Sequence, residues 1–109
     1  MFIADVGTHV IWAARYVRMD GRRRLIGSFN HGNMANAVPQ AIGVQASQPG
    51  REVVTLSGDG GLAMMFGDLI TLQQLDLPVQ TLGERATAVR SIDSPEQLCR
   101  VAERLLTSC

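Results

Sequence analysis

The chain has 109 residues, the size of one domain, and can bury one modest core. At 46% hydrophobic and 18% charged residues it is globular in composition, which excludes a disordered chain. Formal net charge is zero and no apolar run approaches the roughly 20 residues of a bilayer span, so neither nucleic acid nor membrane is an expected partner.

Phe2 to Val6 reads as a short strand, ended by Gly7-Thr8. From His9 to Met19, Val10, Ile11, Ala13, Ala14 and Val17 recur at three- and four-residue steps, a helix with Thr8 as its expected N-cap and Asp20-Gly21 as its stop. Arg22-Arg23-Arg24, read as a solvated turn, leads into a short strand at Leu25-Ile26. A loop rich in Gly, Ser, Asn and His, residues 27–33, precedes a small-residue helix over Ala35 to Ala46, with Pro39 in its first turn. After the turn at Gln48-Pro49-Gly50, Glu52 to Ser57 carries the β-branched run of a buried strand. Gly58-Asp59-Gly60-Gly61 breaks that strand, and a second long apolar helix runs from Leu62 to Leu75. Pro78 to Leu82 and Ala86 to Ile92 are further strand candidates. Ser94-Pro95-Glu96-Gln97 starts a helix that reaches about Leu106. Strands alternating with helices imply an α/β fold with a mostly parallel sheet. The two cysteines, Cys99 and Cys109, form no zinc-site spacing or disulfide framework, which suits a reducing, cytoplasmic setting.

Three strand-to-helix edges carry the polar chemistry. At Ser57-Gly58-Asp59-Gly60-Gly61 a buried strand meets a glycine-flanked aspartate. Backbone N–H groups at a helix start cradle anions, and Asp59 adds a hard oxygen ligand suited to Mg²⁺. Taken alone, the segment also fits a plain turn in which Asp59 caps the helix. Asp5-Val6-Gly7-Thr8-His9 is a second such edge, where His9 either donates to a phosphate oxygen or is a first-turn surface residue. Gly27-Ser28-Phe29-Asn30-His31-Gly32-Asn33-Met34-Ala35-Asn36-Ala37 is the third. Edges of one polarity converge on one side of a parallel sheet. No Gly-x-x-x-x-Gly-Lys or Gly-x-Gly-x-x-Gly sequence supports a generic nucleotide-binding module.

Four blocks in order, Ala4-Asp5-Val6-Gly7-Thr8, Trp12-Ala13-Ala14-Arg15-Tyr16, Gly27 to Ala37 and Gly58-Asp59-Gly60-Gly61, resemble enzymes dependent on thiamine diphosphate (ThDP). The resemblance is closest to the pyruvate oxidase and quinone-dependent pyruvate dehydrogenase group, and more distant to acetolactate synthases, although His9 is more like the latter. It implies a three-layer parallel sheet of the ThDP diphosphate-binding type, in truncated form. By position it assigns Asp59 to Mg²⁺ and Gly60 and Gly61 to the diphosphate. Gly7, Thr8 and His9 would hold the other side of the diphosphate, and Gly32 and Met34 would contact the aminopyrimidine, with the Met34 side chain wedged under the cofactor. No catalytic residue is assigned.

The same resemblance exposes gaps. In the family a downstream Asn completes the Mg²⁺ shell, and no Asn follows Asn36 here. Residues 1–80 therefore read as a partial diphosphate-binding domain. Residues 81–109 read as the closing strand and helix of the same domain after an internal deletion near Gln80 to Gly83, with a frameshift or unrelated tail as the alternative. The pyrimidine-binding domain, whose glutamate activates the cofactor, and the FAD domain of the pyruvate oxidases have no counterpart. The expected function is thus the ThDP- and Mg²⁺-binding part of a 2-oxo acid decarboxylating enzyme, inactive alone. A pyrimidine-binding chain or a second copy would be its partner. The alternative is a non-catalytic remnant that binds another chain.

Overall fold

The computed structural model describes residues 1–83 and 88–89. Five strands form one sheet: β1 (Phe2–Ala4), β2 (Leu25–Gly27), β3 (Val53–Ser57), β4 (Val79–Gly83) and β5 (Ala88–Val89). Between them lie helices α1 (Thr8–Tyr16), α2 (Ala37–Ser47), α3 (Asp59–Met64) and α4 (Phe66–Gln74). The spatial order is β2-β1-β3-β4-β5. The first four strands are mutually parallel, and β5 pairs antiparallel with β4, Thr81 opposite Val89. The fold is α/β, as its alternating pattern implies.

The order of strands fixes the layers. The chain steps from β1 to β2 in one direction, then returns past β1 to β3 and on to β4 in the other. Crossovers between parallel strands are right-handed, so α1 covers one face of the sheet while α2, α3 and α4 cover the opposite one. Packing agrees on the second face. The core joins Ile3 and Val53 of the sheet to Ala37, Val38 and Ala41 of α2, Leu62 of α3, and Leu69 and Leu72 of α4. The small residues of α2 let its backbone approach the sheet closely. Along β3 burial alternates with the pleat: Val53, Thr55 and Ser57 are buried, and Val54 and Leu56 are half-buried. Register sets Ile26, Ile3, Thr55 and Thr81 side by side across four strands. In that row the Thr55 and Thr81 hydroxyls are hydrogen-bonded at 2.9 Å, which satisfies both in the interior.

Some local expectations shift. Thr8 is the first residue of α1, and Gly7 stands at the N-cap, with φ 146° and ψ −172°. The chain needs that backbone to turn from β1 into α1. An added Cβ at Gly7 would also lie 2.7 Å from His9 Cε1, so only glycine fits beneath the imidazole. α1 ends at Tyr16, before the expected stop. The Asp20 carboxylate instead holds the following turn by accepting the N–H groups of Arg22 and Arg23 at 3.0 and 2.9 Å. The helix read over Leu62 to Leu75 begins earlier, at Asp59, and is broken at Met65 into α3 and α4. Its apolar period runs through the break and hides it, but Gly60, Gly61 and Gly67 each lower helix propensity by about 1 kcal/mol. The helix read over Ser94 to Leu106 lies outside the described residues.

Candidate functional site

β1 and β3 are neighbours whose following helices lie on opposite faces of the sheet. That is the switch point of an open α/β sheet, where a crevice opens beyond the strand ends. Into it run the start of α1, carrying Gly7, Thr8 and His9, and the start of α3, carrying Asp59, Gly60 and Gly61. Beside them lies the loop from β2 to α2, with Gly32 and Met34.

Contacts across the three edges are specific. A Cβ at Gly60 would lie 3.6 Å from Met34 Cε, so the methionine methyl sits over the glycine turn. A Cβ at Gly32 would lie 3.9 Å from Val6 Cγ2, which sets that loop beside the end of β1. Met34 is half exposed, at 53%, so its side chain is accessible from the crevice. The eight residues singled out in the sequence therefore lie at the same end of the strands: Gly7 in the turn out of β1, Thr8 and His9 in the first turn of α1, Asp59, Gly60 and Gly61 in the first turn of α3, and Gly32 and Met34 in the loop before α2.

The polar groups there suit an anion. His9 is 7% exposed, and both of its ring nitrogens are buried without a hydrogen-bond partner. Ser57, the last residue of β3, is 1% exposed and its hydroxyl is likewise unpartnered. Buried polar atoms are nearly always satisfied, so His9 in the first turn of α1 and Ser57 at the end of β3, both beside the crevice, are candidates to meet a polar ligand there. Neither α1 nor α3 has a side-chain hydrogen bond from its N-cap residue, Gly7 or Gly58, so both helix starts present backbone polarity toward the crevice. Asp59 is exposed, and its Oδ1 accepts the Gly60 N–H at 2.8 Å. Among the described residues no cluster of three His, Cys, Asp or Glu forms a metal cage by itself. A cation at Asp59 would accordingly share its shell with a ligand's oxygens, the usual way Mg²⁺ is held. These donors fit a diphosphate with its Mg²⁺.

Two features were not read from the sequence. Gly61 is buried, and a Cβ there would overlap Asp5 Oδ2 and lie 3.5 Å from the Ala35 nitrogen. Its missing side chain thus makes room for the protein's own carboxylate. Asp5 itself, 2% exposed, accepts hydrogen bonds from the start of α2. An acidic residue directly after the apolar Phe2-Ile3-Ala4 strand was the available signal. His31, Ser28 and Phe29 line an open hollow in the loop that follows β2.

Comparison with known proteins agrees with this geometry. Residues 5–83 match the family model of the thiamine pyrophosphate enzyme, C-terminal TPP binding domain, thiamine pyrophosphate being another name for ThDP. The acetolactate synthase large subunit of Parasynechococcus marenigrum is 40% identical over 78 residues, 72% of this chain and 12% of the relative. The isozyme 3 large subunit of Escherichia coli is 41% identical over 76 residues, 70% of this chain and 13% of the relative. IlvB1 of Mycobacterium tuberculosis, another acetolactate synthase large subunit, is 36% identical over 80 residues, 73% and 13% respectively. The chain therefore spans about an eighth of the length of these relatives. They are acetolactate synthases, so the finer likeness to pyruvate oxidases read from the motifs does not carry through, and the common level is the ThDP-binding domain. With the match running through all three edges of the crevice, the chain belongs to the thiamine pyrophosphate enzymes, in their C-terminal TPP-binding domain.

Proposed function

We propose that this chain binds the diphosphate of ThDP through Mg²⁺ and serves an enzyme that acts on 2-oxo acids. The observation that carries the reading is the pair of buried, unpartnered side chains, His9 and Ser57, beside the exposed Asp59 at the sheet's switch point. Asp59 holds Mg²⁺. Gly60 and Gly61 with Gly7, Thr8 and His9 take the diphosphate oxygens, and Gly32 and Met34 meet the ring end of the cofactor. ThDP supplies the electron sink for decarboxylation, and the protein supplies position and polarity. The named relatives favour an acetolactate synthase-like enzyme over the pyruvate oxidase-like one suggested by the motif blocks, and FAD belongs only to the latter reading.

Because no Asn follows Asn36, the second side-chain ligand to Mg²⁺ is missing from this chain, consistent with a deletion near Gln80 to Gly83. Binding is therefore expected to be weak. Calorimetry of the chain with ThDP should give heat with Mg²⁺, none with a chelator, and none for Asp59→Ala. Equal binding by the variant would remove Asp59 from the metal site. These 109 residues by themselves should not accelerate exchange of the ThDP C2 proton, followed by NMR, since the resemblance puts the activating glutamate in a pyrimidine-binding domain that they do not include.

A second reading, an interaction module without catalysis, is favoured by one observation. Ile11, Trp12 and Tyr16 on α1 are 62%, 53% and 73% exposed, more apolar surface than a free helix face normally shows. Covering that face with a pyrimidine-binding chain or a second copy accommodates both readings, and light scattering of the purified chain distinguishes a dimer from a monomer.

A further inference from the structure

We propose that Asp5 is a positioning residue that locks the three edges of the crevice into one frame. This rests on the ThDP-binding reading for its functional consequence, but the frame itself is a property of the chain.

Asp5 follows β1, and its own N–H donates to Leu56 O at 2.8 Å, tying it to β3. Its Oδ1 accepts three hydrogen bonds: from Asn36 N at 2.6 Å, from Asn36 Nδ2 at 3.0 Å and from Ala37 N at 3.2 Å. Those backbone donors are the first N–H groups of α2, so the carboxyl group caps a helix 31 residues away in sequence and sits at its positive end. Its Oδ2 occupies the space left by the missing side chain of Gly61. One side chain thus touches the first turn of α3 and the loop before α2, from the end of the strand that precedes α1.

The loop needs that hold. Ala35 has φ 62°, a left-handed conformation that residues with a Cβ seldom adopt, and it is buried. A strained residue persists where its surroundings over-determine it. Asn36 fastens the same loop from its other side by donating Nδ2 to Asn33 O at 2.7 Å, and Asn33 N donates to Ser28 Oγ at 3.2 Å. Met34 lies within this braced stretch, and its methyl group rests above Gly60. Removing the Asp5 carboxyl releases the loop that carries Met34, while of the apolar core only Ala37 loses a hydrogen bond.

The test compares the full chain with Asp5→Ala, Asp5→Asn and Gly61→Ala. Amide exchange read by NMR should accelerate at least tenfold at Asn36 and Ala37 in Asp5→Ala, with Thr55 unchanged. Asp5→Asn keeps an oxygen acceptor and should stay near wild type. Gly61→Ala displaces Oδ2 and should accelerate the same two amides, an effect that a role confined to α3 would not produce. With ThDP and Mg²⁺, Asp5→Ala should bind at least tenfold more weakly, and Asp5→Asn within about threefold of wild type. If Asp5→Ala fails to fold, Gly61→Ala and Asp5→Asn decide the matter. Unchanged exchange at Asn36 and Ala37 in Gly61→Ala overturns the frame, as does wild-type affinity in Asp5→Ala. A wild-type chain that takes up no ThDP sinks the binding reading instead, and the exchange data then judge the frame by themselves.

Discussion

Replacing Gly7 by Ala tests how the first edge of the crevice is built. Two costs arise from the structure. The backbone at Gly7, φ 146° with ψ −172°, lies in a region used almost only by glycine, and holding another residue there costs about 1–3 kcal/mol. The new Cβ would also stand 2.7 Å from His9 Cε1 and 3.0 Å from His9 Nδ1, and crowding of that kind costs about 1–3 kcal/mol. Together they amount to about 2–6 kcal/mol, against the 5–15 kcal/mol that a domain of this size usually has. The two costs separate in a double-mutant cycle. In the His9→Ala background the obstacle is gone and only the backbone cost remains, so Gly7→Ala should there cost about 1–3 kcal/mol less than it does beside the imidazole. Urea unfolding of the four proteins, followed by Trp12 fluorescence, gives the values, with equal slopes required for the comparison. An equal cost of Gly7→Ala in both backgrounds would refute the placement of His9 against Gly7.

Other outcomes follow from the same coordinates. Thr55→Val leaves the buried Thr81 hydroxyl unpaired and should destabilise by about 1–3 kcal/mol, while the double change with Thr81→Val, read by urea unfolding, should cost less than the single. Leu69→Ala, at a site 1% exposed in the core beneath α4, should lower stability by about 2–5 kcal/mol in the same assay. The N–H groups of Arg23 and Arg22 hold the Asp20 carboxyl below its ordinary value of 3.8. Its contribution to stability is accordingly present above that value and fades as pH falls through the lower native one. Melting midpoints measured from neutral pH down to about pH 2 should show a small acid loss in the wild type that Asp20→Ala lacks.

Much of this protein was legible in its sequence, because the signals are local. The β-branched run Val53 to Ser57, the glycine-flanked Asp59 and the small-residue helix around Ala41 each announce their element through side-chain shape or backbone freedom. The break at Met65 was hidden, because Leu62, Leu69 and Leu72 keep one helical period across it. Residue type alone points to Thr8 as the cap, but the turn out of β1 requires glycine there, and Gly7 takes the place.

The candidate residues, then, could be named from strand-to-helix edges, since chain polarity alone sends them to one side of a parallel sheet. That the ends of the strands at Val6, Ile26 and Ser57 lie side by side follows from the same polarity and agrees with the observed order, whereas which strand stands in the middle does not, because strand order is set by which faces the helices must bury. Only the tertiary structure set β1 in the middle, between β2 and β3, and so put the switch point between Gly7 and Asp59. It also decided the role of Asp5. In the sequence that residue is an aspartate at the end of a strand. In the fold its carboxyl group meets Asn36, Ala37 and Gly61, partners as far as 56 positions along the chain, drawn together by burial of the sheet between its helices.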